Sequence, residues 1–126
     1  MQITMNDMAV INQVFSAHKD DKMPIKVAYK FNKILKSTEE DIKFFQEKYR
    51  EILFKYCQKQ ENGNLFIDEK GNFIVDKENT EAYTKEMNDL LTTKIDIPDT
   101  CSFNLDELDN LELTLQEVNA LDSLIK

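Results

Sequence analysis

Glycine and proline are nearly absent, with two of each in 126 residues. Turns that need a left-handed residue or a fixed φ must therefore be few, and long helices are expected. Histidine occurs once, at His18. One imidazole followed by the flexible carboxylates Asp20 and Asp21 is a poor zinc or iron site without further ligands, so a solvated helix C-terminus favoured by a histidine is the preferred reading. The two cysteines, Cys57 and Cys101, do not make a disulfide framework, and neither sits in a CxxC pair. They read as reduced, buried thiols of a cytosolic protein. The opening MQITMNDMAV has no basic segment followed by an apolar one, so no signal peptide is expected. Apolar runs are only a few residues long, too short for a spanning helix. There is no Walker-type or GxGxxG phosphate loop, and no cofactor or metal is expected.

Hydrophobic residues make up 41% of the chain and charged residues 32%, a globular rather than a disordered balance. The length suits one domain, residues 1–126. The net charge of −8 is unevenly spread. Residues 1–60 carry 11 Lys/Arg against 8 Asp/Glu, whereas residues 61–126 carry 5 against 16. Such acidity opposes direct binding to nucleic acid, unless the basic half is presented alone, and to an anionic membrane surface.

Hydrophobic spacing predicts a mainly helical α+β fold: a long central helix packed by shorter helices, with a β-hairpin. The first helix lies in TMNDMAVINQVFSAH, capped by Thr4 with Asp7 three residues on, and turns Met8, Ile11 and Phe15 inward. Pro24 marks the next start. From Ala28 through Phe31, Leu35, Thr38, Ile42, Phe45, Tyr49 and Ile52 to Tyr56 the spacing alternates between three and four, predicting one continuous helix over about 25–60. Thr38 is its one polar position, and Ser37 with Glu40 has the spacing of a capping box that would restart the helix there. Leu65–Ile67 and Phe73–Val75 flank DEKGN, a hairpin with Gly71 in the left-handed position. The ligand pattern and glycine position of a calcium-binding loop are missing from it. A helix in NTEAYTKEMNDLL follows, with Tyr83, Met87 and Leu90 on one face, then a strand in TTKIDIP that MQIT is placed to pair.

The C-terminal FNLDELDNLELTLQEVNALDSLIK is acidic and rich in leucine. Thr114 and Glu117 have capping-box spacing, and Val118, Leu121, Leu124 and Ile125 then share a helical face, which reads as packed structure rather than a tail awaiting a partner. Paired carboxylates such as Glu39/Glu40/Asp41 and Asp68/Glu69 lie in polar runs that read as solvated faces, with no acid–base assignment between them. Two sets of charges are candidates for partner binding. Lys26, Lys30 and Lys33 form one helical stripe beside Tyr29, and Asp106, Glu107, Asp109 and Glu112 crowd the acidic end. The bland alternative is that the lysine stripe is an outer helix face neutralised by the chain's own acidic half. Met1, Met5, Met8 and Met23 could supply an adaptable contact surface, although Met8 is better placed as core.

The order of segments, KMPIKVAYKFNKILKSTEEDIKFF, then DEKGNF, then EMNDLLTTKIDIP and FNLDELDNLELTLQEVNALDSLI, resembles a family of small, uncharacterised proteins encoded by tailed phages and prophages of low-GC Gram-positive bacteria. The MPIKVAY opening of the long helix and the terminal leucine pattern carry the resemblance most specifically. It implies a phage product acting in the bacterial host cytoplasm or built into a virion, and supplies no catalytic residues. Small size, acidity and a long presented helix lead us to expect a non-catalytic protein that binds a host, defence or phage protein, in an inhibitor-like way, with the acidic half imitating nucleic-acid phosphate. The alternative is a virion or tail-assembly accessory component that self-associates into a homo-oligomer.

Overall fold

The structure, a computed structural model, describes all 126 residues, Met1–Lys126. It is a mainly helical α+β fold. In chain order come β1 (Gln2–Thr4), α1 (Met5–Ala17), α2 (Ile25–Ser37), α3 (Glu39–Tyr56), α4 (Thr80–Thr92), β2 (Lys94–Asp96), α5 (Leu105–Leu108) and α6 (Leu115–Leu121), with 3-10 turns at Lys77–Asn79, Asp99–Cys101 and Asp122–Leu124. Residues group into two compact units, Met1–Ile42 with Lys94–Lys126, and Lys43–Thr93.

In the first unit β1 pairs antiparallel with β2, with Ile3 directly opposite Ile95. Both isoleucines are buried while Gln2 and Asp96 face outward, the two-residue alternation of a one-sided strand pair. Thr4 ends β1 and caps α1: its hydroxyl accepts the Asp7 N–H while the Asp7 carboxylate accepts the Thr4 N–H. α1 buries Met5, Met8, Ile11, Val14 and Phe15, and α2, opened by Pro24, buries Val27, Phe31 and Ile34. Phe15 and Phe31 stack with centroids 4.1 Å apart, and Phe103 meets them edge-on at 6.4 and 5.4 Å.

The acidic C-terminal segment completes this core. Two capping boxes organise it, Asn104 with Glu107 at α5 and Thr114 with Glu117 at α6. α6 packs on α1, and the chain end returns to Phe103, whose N–H donates to the Leu124 carbonyl (2.8 Å) and whose carbonyl accepts the Lys126 N–H (2.9 Å). Phe103, Leu108, Leu121 and Leu124 are all buried, so these leucines serve the core.

The predicted continuous helix is divided at Thr38. This residue ends α2 with φ −106° and ψ 3°, and α3 starts afresh at Glu39. The reason is local. The Ser37 and Thr38 hydroxyls donate back to the Lys33 and Ile34 carbonyls at 2.7 and 2.8 Å, and the acidic Glu39, Glu40 and Asp41 suit a new N-terminal turn. With its hydroxyl turned back to Lys33, Ser37 forms no capping box with Glu40. The inner stripe of α2 is Val27, Phe31 and Ile34, with Ala28 and Leu35 half-buried at its border.

In the second unit α3 buries Ile52, Leu53 and Tyr56, and α4 buries Met87 and Leu90. The Tyr56 hydroxyl donates to Glu86 at 2.8 Å, and its ring meets Tyr83 edge-on at 6.5 Å. The hairpin turn forms as expected: Gly71 adopts φ 81°, the Asp68 N–H donates to the Asn72 carbonyl, and the Asp68 carboxylate accepts the Lys70 and Asn72 N–H groups at 2.9 Å. Its arms are isolated bridges, Ile67 with Phe73 and Val75 with Cys57, rather than continuous strands. A third extended piece intervenes, for the Gln58 N–H donates to the Ile74 carbonyl and its carbonyl accepts the Phe66 N–H.

Candidate functional site

α2 has two faces of opposite character. Its inner stripe is core, whereas its outer stripe carries Lys26, Lys30 and Lys33 beside the exposed Ile25 and Tyr29. Ile25 is 84% exposed and Tyr29 66%, unusual for side chains of their size on a helix that also buries a phenylalanine. These residues, together with Thr100 and Glu107, line an open groove of about 670 Å³.

The two predicted charge clusters meet at one point of this groove. The Lys30 ammonium lies 2.7 Å from the Glu107 carboxylate, donates to the Ser102 carbonyl at 2.9 Å, and sits 5.3 Å from the centre of the Phe103 ring. Glu107 is held in place because it is also the third residue of the α5 capping box, accepting the Asn104 N–H. The Lys30 ammonium, and then the Asn104 N–H, keep the Glu107 carboxyl below its ordinary pKa. Self-neutralisation therefore accounts for Lys30 and Glu107. Lys26 and Lys33 have no ion-pair partner, and the exposed Asp106, Asp109 and Glu112 have none either.

His18 closes α1 as expected, with its N–H on the Val14 and Phe15 carbonyls, but its ring is not solvated. Nδ1 faces the Asp21 carboxylate and Nε2 that of Glu117, each at 2.5 Å. These carboxylates, Asp21 first, raise the imidazole pKa against the opposing effect of burial. The two ring nitrogens point to opposite edges, so the carboxylates do not converge on a common point. The arrangement bridges α1 to α6 and does not chelate; Asp20 takes no part in it. No group of three or more His, Cys, Asp and Glu side chains is arranged to hold a metal ion. Cys57 and Cys101 are buried, and burial pushes both thiols up, away from the reactive thiolate.

In the second unit, a groove along α3 and α4 contains the half-exposed Phe44, and four of its five charges pair among themselves, Lys48 with Glu51 and Lys55 with Glu86, leaving Asp89. Phe66, Ile67 and Phe73 are exposed on the hairpin. Sequence reasoning missed Ile25 and Thr100 as groove residues and Asn104 as the anchor of Glu107. The spacing of Asn104 and Glu107 was the available signal for the last. No helix is long and apolar enough to cross a membrane. No protein-family model, curated protein or solved structure matches this chain.

Proposed function

We propose that this chain is a non-catalytic protein-binding module, encoded by a tailed phage or prophage of the kind its sequence resembles, and that it acts on a host or defence protein in the bacterial cytoplasm. The observation that carries the reading is the outer face of α2, where Ile25 and Tyr29 stand exposed beside two unpaired lysines on a helix fixed from behind by a buried aromatic cluster. A rigid helix presenting an apolar anchor with a charged rim is a common way to engage another protein. The side chains best suited to catalysis support the same reading, since both nitrogens of His18 face carboxylates and both thiols are buried. Among the acidic residues proposed to imitate phosphate, Glu107 is committed to Lys30, which favours the α2 face over the acidic segment as the contact surface.

The test compares capture of host proteins by the tagged wild type and by the double variant Ile25→Ser/Tyr29→Ser. Both changes lie on the surface, so folding should be unaffected, as circular dichroism would check. A host protein held by the wild type and lost by the variant is the expected result. Identical capture by both would remove α2 from the contact surface.

A further inference from the structure

The α2 groove has a definite chemistry. Its lining is apolar at Ile25 and the Tyr29 ring, both exposed, and cationic at Lys26 and Lys33. The two lysines are seven positions apart on one helix, about 10 Å at 1.5 Å per residue. The third lysine of the stripe shows what the stripe attracts: Lys30 already holds a carboxylate from α5, the Glu107 oxygen at 2.7 Å, with its ammonium over the Phe103 ring.

We infer that the groove docks an acidic protein segment bearing an apolar anchor, and that Glu107 competes with it from within the chain. This rests on the protein-binding reading above and specifies the partner. The anchor covers Ile25 and Tyr29, two carboxylates about 10 Å apart meet Lys26 and Lys33, and a third would reach Lys30 if Glu107 released it. Nucleic acid fits less well. Two free ammonium groups are few for a ligand bound through many phosphates, and the exposed Ile25 offers nothing to a phosphate backbone.

The probe is a fifteen-residue helical peptide with two leucines between glutamates seven positions apart, and its control carries glutamine in place of glutamate. Each is titrated into the full-length 15N-labelled protein at low salt and followed by amide shifts. Saturable shifts at Ile25, Lys26, Tyr29 and Lys33 are expected for the acidic peptide. Binding about tenfold weaker is expected for the control, and for the acidic peptide on Lys26→Glu/Lys33→Glu. The milder Lys26→Ala/Lys33→Ala serves if charge reversal perturbs the fold. Glu107→Gln keeps a capping-box side chain at α5 while removing the charge, and should tighten the acidic peptide about threefold by freeing Lys30.

Equal binding of the two peptides would overturn the acidic specificity while leaving the protein-binding reading standing. Unchanged affinity in Glu107→Gln would overturn the internal competition. Shifts of the same amides with a twenty-base-pair DNA duplex, falling steeply with salt, would overturn the inference in favour of nucleic acid. The same shifts on raising protein concentration alone would overturn it in favour of a second copy. Failure of both peptides to bind would also overturn it, and the protein-binding reading would then be judged separately by the capture comparison of Ile25→Ser/Tyr29→Ser.

Discussion

Replacing Phe103 with alanine tests whether the acidic C-terminal segment is core. The ring is 1% exposed and lies edge-on to both Phe15 and Phe31, with the Lys30 ammonium 5.3 Å from its centre. Buried Phe→Ala changes cost about 3–5 kcal/mol, and two aromatic partners beyond ordinary area burial place this one at about 4 kcal/mol. The backbone bonds of Phe103 to Leu124 and Lys126 survive the change, so the loss reports the side chain. Small domains have about 5–15 kcal/mol in all, so a large share of the stability would go. Urea unfolding followed by far-UV circular dichroism should show the midpoint falling by about 2 M, for a slope near 2 kcal/mol/M. Leu115→Ala on the same segment, where the leucine is 78% exposed, should stay within about 0.5 kcal/mol of wild type. A Phe103→Ala loss below about 1 kcal/mol would refute the packing and return the terminal leucines to the status of an exposed tail.

Phe45 lies in the predicted seam but is only half-buried, so Phe45→Ala should cost about 2 kcal/mol, roughly half the penalty of a fully buried phenylalanine, by the same urea titration. The raised pKa of His18 stabilises the fold fully below the ordinary 6.5 and ceases to do so as pH rises through the raised value; the lowered pKa of Glu117 acts oppositely, contributing fully above 4.5 and failing as pH falls. Melting temperature against pH should therefore fall on the alkaline side in wild type and lose that slope in His18→Gln. Cys57 and Cys101 should react slowly with a disulfide reagent in the native protein and rapidly in denaturant, because both are buried and both thiols are raised. Gly71→Ala should cost about 1 kcal/mol in chemical denaturation: a Cβ would meet nothing within 4 Å, so the penalty is the left-handed φ of 81° alone.

Features encoded within a few residues were legible in the sequence. Thr4 with Asp7, Thr114 with Glu117, Pro24 before α2 and Gly71 in its turn all act locally, and each occurs as its spacing predicts. The pairing of MQIT with the strand before Pro98 also occurs, matched by one apolar residue on each side. The break at Thr38 was harder to see because apolar phase continues across it. What decides it is where two hydroxyls donate, a choice that periodicity does not record. The His18–Glu117 and Lys30–Glu107 pairs join residues far apart in sequence, so only the fold brings them together. At the candidate site the lysine stripe was readable from helical spacing alone. The exposure of Ile25 and the loss of Lys30 to an internal partner were not, because both depend on how α5 and the Asp99–Cys101 turn are placed against α2.

The most direct measurement of whether this face is kept free for another protein is light scattering during size exclusion, at low and at moderate salt. A mass of one chain, 14.8 kDa, at both salts is expected if the α2 face awaits a different protein. A stable higher oligomer would contradict that claim and point instead to an assembly component packed against its own copies.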